Sequence, residues 1–439
     1  MTAKKLFFKY VPQNILGMVG LSLYVLADTF FIAQKTGSDG ITALNLVLPV
    51  YSFIFAIGQM IGVGSAIRFS IAAARESDDK DHYFFNAVFW GTVIGLVFAA
   101  VGFFMPDKVI SIMGGDSDII KVGETYTRIF MSFAPFFICN GICGAFVRND
   151  GSPSVAMAAT LGSSFFNIVM DYVFMYPLNM GMPGAALATA LAPVVGILIC
   201  LVHLLSKKCT IAFHVHKPSI VRLFRSCQLG VSAFVGEISS GVTTAAFNGI
   251  ILKLAGNIGV AAYGVIANTS IVAVSVFNGI AQGCQPIISR FYGEGDKNST
   301  RKVVKMGIVT AILIAVTMIV CVFIFNSQIV GIFNSEHDRQ LAVYAERGIR
   351  IYFAGFIFAG INIVGAGLLS AMEQARGAFI VSISRGFVSI LVFAFLLSAL
   401  FGLDGVWAAF PTAEFVTLLL LLPNMKHKSN NSEPKLRSA

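Results

Sequence analysis

Apolar runs long enough to cross a bilayer follow one another through almost the whole of this chain, separated only by short polar interruptions. A helix needs about 18 to 20 apolar residues to traverse roughly 30 Å of hydrocarbon, whereas a membrane β-barrel would show alternating segments of about ten residues. The runs predict twelve helical spans: 11–34, 41–67, 84–105, 122–147, 153–176, 183–205, 228–252, 258–288, 303–325, 341–369, 376–400 and 403–424. Only 12% of residues are charged and 56% are apolar; a soluble domain carries about 25% charged residues. The N-terminal stretch MTAKKLFFKYVP has no small-residue cleavage site, so the first span is expected to be retained.

Basic residues set the orientation. With an even number of spans both termini share one side, and 23 of the 31 Lys and Arg fall on that side against 8 on the other. The bias of basic loops toward the cytoplasm then places both termini inside. The net charge of +9 is thereby topological and gives no argument for nucleic acid. None of the seven cysteines shows metal-site spacing, so they are expected to be packing residues. There is no HExxH, GxSxG or P-loop, so no enzymatic activity and no organic cofactor is expected.

The chain uses one unit twice. Gly37-Ser38-Asp39-Gly40-Ile41-Thr42-Ala43 recurs as Gly256-Asn257-Ile258-Gly259-Val260-Ala261-Ala262 at an offset of 219, and Gly64 recurs as Gly283. Arg128-Ile129-Phe130 recurs as Arg350-Ile351-Tyr352 at 222, and Gly181-Met182-Pro183-Gly184-Ala185 as Gly402-Leu403-Asp404-Gly405-Val406 at 221. Six spans per repeat give both halves the same orientation, related by a pseudo-twofold along the membrane normal. The expected organisation is an N-terminal bundle at 1–205, a cytoplasmic linker at 206–227, a C-terminal bundle at 228–425 and a cytoplasmic tail at 426–439. Twofold halves around a midplane cleft are an alternating-access architecture.

Two acids lie where hydrocarbon is expected: Asp28 in the first span and Asp171, one turn after Asn167, in the fifth. An aspartate at a bilayer centre costs roughly 2.5 to 3.5 kcal/mol, which marks ion or substrate handling. Counting about 1.5 Å of rise per residue puts Asp28, Asn167, Asp171 and Thr189 in one layer of the outer half. Carboxylate, amide and hydroxyl oxygens suit a proton or Na⁺, the latter at Asp28, Asn167 and Asp171. The second half lacks this set. Its buried acids are Glu237, suited to a cationic ligand, and Glu414, for which Arg385 is a potential partner. Tyr24, Gln59, Met60, Asn248 and Asn268 are further candidates for a cleft lining.

At these residues the sequence resembles the multidrug and toxic compound extrusion (MATE) transporters over essentially its whole length. The matching pieces are LADTFFIA around Asp28, Arg148-Asn149-Asp150-Gly151, Asn167-Ile168-Val169-Met170-Asp171 and GMPGAALATALA opening the sixth span. The resemblance implies an all-α membrane protein of two six-helix bundles around a V-shaped cleft, exporting organic cations in exchange for H⁺ or Na⁺. It also implies that Asp28, Asn167, Asp171 and Thr189 form the coupling network. Some members carry a C-lobe cation site with acids on spans 7 and 10. Here only Glu237 is present, and span 10 has no deeply buried acid. The expectation is a monomeric multidrug antiporter of the cytoplasmic membrane, embedded in lipid and acting on small organic cations. The competing expectation is a lipid-linked oligosaccharide flippase of the same superfamily, which would show a more cationic cleft.

Overall fold

The computed structural model describes the backbone of residues 2–114, 117–212, 214–334 and 338–426. The tail expected at 426–439 lies outside the described residues beyond Lys426, as do the side chains of 36–43, which hold the first repeated glycine block. Among the described residues the chain is all-α, twelve crossing helices in two bundles.

The N-terminal half opens with α1 (Ala3–Ala74), assigned as one helix. Tyr24 and Tyr51 meet hydroxyl to hydroxyl at 2.6 Å, although 27 helical residues would separate them by about 40 Å in a straight rod. The chain therefore doubles back between them, and Leu46–Ala74 is a return leg that spans by itself. The half continues with α2 (Lys80–Phe104), α3 (Pro106–Ile112), α4 (Ser117–Ser132), α5 (Ala134–Asn149), α6 (Pro153–Met175) and α7 (Met182–Leu204).

The second half repeats the pattern with α8 (Ile220–Gly293), α9 (Lys297–Ile324), α10 (Asn326–Phe333), α11 (Arg339–Phe353), α12 (Phe356–Ala371), α13 (Ala375–Ile383) and α14 (Ser389–Lys426). A π-helical turn, Ser384–Val388, joins α13 to α14. Within α8 the helix breaks at Gly256, with φ 62° and ψ −159°. The Phe247 and Tyr263 rings then stack at 5.2 Å, so α8 is a hairpin like α1. Helix α14 turns at Gly402 (φ 58°, ψ −134°), and its repeat equivalent Gly181 has nearly the same conformation (φ 58°, ψ −136°). These left-handed conformations are open to glycine and strained for other residues.

Two spans drawn from sequence as single helices are each broken. The fourth bends by 46° between the helices Gly123–Ser132 and Ala134–Asn149, and the tenth by 48° between Arg339–Phe353 and Phe356–Ala371. The bends sit at equivalent places and each has a steric cause. Gly95 leaves room for the Pro135 backbone at the first, and Gly355 itself lies against Pro411 at the second. Helix α8 also begins at Ile220, well before the expected span start at 228.

Each half has its own apolar core, but the cores exchange their first turns. Leu6, Phe7, Tyr10 and Val11 at the start of α1 pack into the C-terminal core, and Leu223 at the start of α8 packs into the N-terminal one. Close contacts follow the same twofold. Gly64 receives the Ser226 and Gly230 backbone, while Gly283, its repeat equivalent, receives Val11 and the Tyr10 carbonyl. A Cβ on Gly230 would overlap the Met60 carbonyl oxygen, and Gly279 lies against Ile15. The halves therefore press together backbone to backbone on the side carrying the N-terminus. Lipid-facing surfaces are apolar: Leu96, Val97, Phe104, Leu313, Phe395 and Phe401 are all exposed, as expected for a chain whose outer solvent is hydrocarbon.

Candidate functional site

Three helices build the polar layer in the N-terminal half. Helix α1 supplies Asp28, α6 supplies Asn167 and Asp171 one turn apart, and α7 supplies Thr189. Asp171 and Asn167 have no exposed surface, and Asp28 and Thr189 are nearly as buried. The structure brings all four together. The Asp28 and Asp171 carboxyls lie within electrostatic reach of each other, and among the described residues one oxygen of each has no hydrogen-bond partner. With its amide oriented to satisfy both ends, Asn167 donates to Asp171 Oδ2 at 3.1 Å and accepts from the Thr189 amide at 3.2 Å.

Two carboxylates have only acceptors between them, so neighbouring buried acids are best accommodated when one holds a proton. The cluster is chemically able to hold a proton, with the Asn167 amide donating to Asp171. The same oxygens are hard ligands of the type Na⁺ takes.

Two residues escaped the sequence reading. Tyr126, on α4, is buried close to Thr189 and within electrostatic reach of Asp28 and Asp171. Tyr51, on the return leg of α1, pairs with Tyr24 and lies within electrostatic reach of both Asp28 and Glu237. A tyrosine in an apolar span is ordinary, because its ring is at home there and its hydroxyl needs only one partner. No local signal singles these two out.

The cleft lies between the halves, beyond the glycine contacts. It consists of two chambers of about 90 and about 260 Å³ that share Gly236, Glu237, Asn278 and Arg385. Gln59 lines the smaller chamber and Glu237 lines both. Tyr24, Met60, Asn248 and Asn268 line neither chamber. Tyr24 is turned to Tyr51, and the Met60 backbone is engaged by Gly230. Glu237 has no ion-pair partner among the described residues. Glu414 has one: Arg385 Nε lies 2.7 Å from its Oε1, and Asn362 Nδ2 donates to its Oε2 at 2.8 Å.

The Arg148-Asn149-Asp150-Gly151 run clamps the seam. Arg148 Nη1 donates to Gln282 Oε1 at 2.6 Å and to Asn14 Oδ1 at 3.1 Å. Asn149 Oδ1 accepts from Ser70 Oγ at 2.8 Å and from Gln285 Nε2 at 3.2 Å. Asp150 Oδ2 pairs with His203 Nε2 at 2.8 Å and accepts from the Thr210 amide at 3.0 Å, fixing the loop after α7. Gly151 has φ +89° and turns the chain into α6. Arg68 and Arg75 both meet Glu373 on the same side. Asp150, His203 and Cys209 place ligand-type atoms within 4.8 Å of one another, but each already has an internal partner, Cys209 bonding the Ile211 carbonyl.

Comparison with known proteins agrees with this architecture. The MatE family model matches residues 14–173 and again 233–408, once per repeat. The multidrug export protein MepA of Staphylococcus haemolyticus is 28% identical over 404 residues, covering 91% of this chain and 88% of the relative. MepA of Staphylococcus saprophyticus is 26% identical over 412 residues, covering 93% and 90%. A solved outward-facing multidrug resistance MATE transporter of the MOP superfamily superposes with TM-score 0.91 at 21% identity, covering 98% of this chain and 96% of that one. With the duplicated family match across both six-helix halves, the chain belongs to the MatE family of membrane transporters.

Proposed function

We propose that this protein exports organic cations across the cell membrane in exchange for protons, acting as a monomer with both termini in the cytoplasm. The observation that carries the reading is the burial of Asp28 beside Asp171, two neighbouring acids that are accommodated together in low dielectric when one of them holds a proton. Glu237, unpaired on the chamber walls, is the counter-charge for a cation that would otherwise be desolvated without a partner. The seam on the terminal side makes the present arrangement the one closed to the cytoplasm and loaded for exchange outside. The names of the staphylococcal relatives support multidrug export.

Coupling follows if each ligand binds the two states differently. Proton entry joins the α1 and α6 acids, and cation binding draws on Glu237 across the cleft from them. A flippase is disfavoured, because among the described residues the one arginine on the chamber walls is already paired with Glu414 and offers no free cation to a pyrophosphate.

The test is dye transport by the purified protein in proteoliposomes under a pH gradient alone and a Na⁺ gradient alone. Asp28→Asn and Asp171→Asn should each abolish pH-driven transport in protein that remains folded, and Glu237→Gln should weaken cationic dyes selectively. Na⁺-driven transport with no response to pH would overturn proton coupling. Full activity of both aspartate variants would overturn the site.

A further inference from the structure

We infer that Arg385 limits the cleft to ligands carrying one positive charge, by neutralising Glu414 and leaving Glu237 as the single uncompensated acid. The inference rests on the organic-cation reading and adds a rule for charge number that the reading does not contain.

The chamber walls carry three charged side chains among the described residues: Glu237, Arg385 and Glu414. Arg385 and Glu414 are an ion pair at 2.7 Å, with side chains 16% and 3% exposed. Glu414 is held from a second direction by Asn362, which bonds its carboxylate and its backbone carbonyl, both at 2.8 Å. The pair cancels, so the walls present a net charge of minus one, all of it at Glu237.

A monocation entering the chambers leaves the cleft neutral. A dication leaves one desolvated positive charge unmatched, beside a guanidinium, which is costly in a low-dielectric site.

The placement of Arg385 is a local departure from the repeat. It sits in the π-helical turn Ser384–Val388, and such turns are rare and frequent at functional sites. The turn is pinned: Ser384 Oγ meets Ser389 Oγ at 2.8 Å and Thr417 Oγ1 at 3.1 Å, and Gly386 packs on Ser239. At the offsets of 221 and 222 the equivalent positions on α6 are Ser164 and Ser163, in regular helix. The arginine belongs to the half that lines most of the cleft, and its repeat counterpart carries no charge.

The test compares ethidium with propidium, which share a phenanthridinium ring but carry one and two positive charges. Binding is followed by fluorescence on the full chain in nanodiscs, with thermal unfolding as a check on folding. The unsubstituted protein should bind ethidium at least tenfold more tightly than propidium. Arg385→Met should shift that ratio toward propidium by at least tenfold. Glu414→Gln, which frees the guanidinium against Glu237, should weaken ethidium at least tenfold, and Arg385→Met with Glu414→Gln should restore both the affinity and the preference.

Equal binding of the two dyes by the unsubstituted protein would overturn the inference, which needs no variant to fold. So would a double variant that keeps the Glu414→Gln defect. Glu237→Gln separates the two levels. If it leaves ethidium binding intact, the cation site itself is wrong; if it removes binding while the Arg385 series leaves the dye ratio unmoved, only the charge rule fails.

Discussion

Gly64 lies backbone to backbone against Gly230, and a Cβ at either position would collide with main chain of the opposite half. The collision is with backbone, so no flexible side chain is available to give way. Overpacking of this kind costs about 1 to 3 kcal/mol, roughly a 5- to 150-fold change in a two-state population. Gly64→Ala is therefore expected to loosen the terminal-side seam and populate the alternative state. Hydrogen exchange in nanodiscs should become faster at 220–230 and at 3–15, and unchanged protection there would refute the assignment.

Arg148 is a second, chemically different fastening of the same seam. Its guanidinium is buried and bonds to Asn14 and Gln282 from the same nitrogen, Nη1. Hydrogen bonds to a charged group contribute about 1.5 to 3 kcal/mol each. Arg148→Ala should lower the unfolding temperature and speed exchange on the same segments, and Arg148→Lys should recover only part of the loss because its ammonium ends one bond short of the position of Nη1. Complete rescue by lysine would show that charge alone matters.

Tyr51 stands between the two acid sites. Removing its hydroxyl in Tyr51→Phe strands the Tyr24 hydroxyl, at a cost of about 1 to 3 kcal/mol, and leaves every carboxyl in place. Proton flux without dye flux is the expected signature, read from an internal pH indicator beside dye release in the same proteoliposomes. A variant that loses both fluxes in parallel would reduce Tyr51 to a packing role.

Outside the membrane, Asp296 caps α9 by accepting from the Ser299 amide at 2.9 Å. Hydrogen bonds from the Ser299 side chain and backbone hold its carboxyl below the ordinary carboxylate value of 3.8. A lowered folded-state pKa contributes stability above that value, and the contribution is lost as pH falls through the folded one. Asp296→Asn should therefore unfold at a lower temperature than the unsubstituted protein at pH 7, with the gap closing in acid below 3.8. A gap that persists in acid would assign the difference to shape and not to charge.

The crossing helices and their duplication were legible because each leaves a strong sequence trace: long apolar runs, and glycine blocks that return at a near-constant offset. Asp28 and Asp171 were legible because a carboxylate in hydrocarbon is costly enough to need a reason. Other features depend on what another part of the chain brings up against them. The bend at α4–α5 had a signal in Pro135, but its partner Gly95 lies on another helix. The pairing of Glu414 with Arg385 was readable as a matter of opposite charges on facing spans, while the π-helical turn that presents Arg385 was not. Tyr126 and Tyr51 needed the fold, since their hydroxyls gain meaning only from Thr189, Tyr24 and the acids nearby. Asn248 and Asn268 lie on spans that line the cleft but on the walls of neither of the two chambers.

The exchanged first turns of α1 and α8 have a further consequence. Each half lends the other a piece of its core, as two copies of one subunit do across an isologous dimer interface. A chain built this way retains the imprint of a symmetric pair whose subunits became joined end to end. Joining them lets the two copies diverge: one half holds the buried Asp28 and Asp171, the other the Arg385–Glu414 pair, while the seam must keep fitting both. Expressed as two separate polypeptides, the halves should still find each other, because the surface that recognises the partner is written into the opening turns of each.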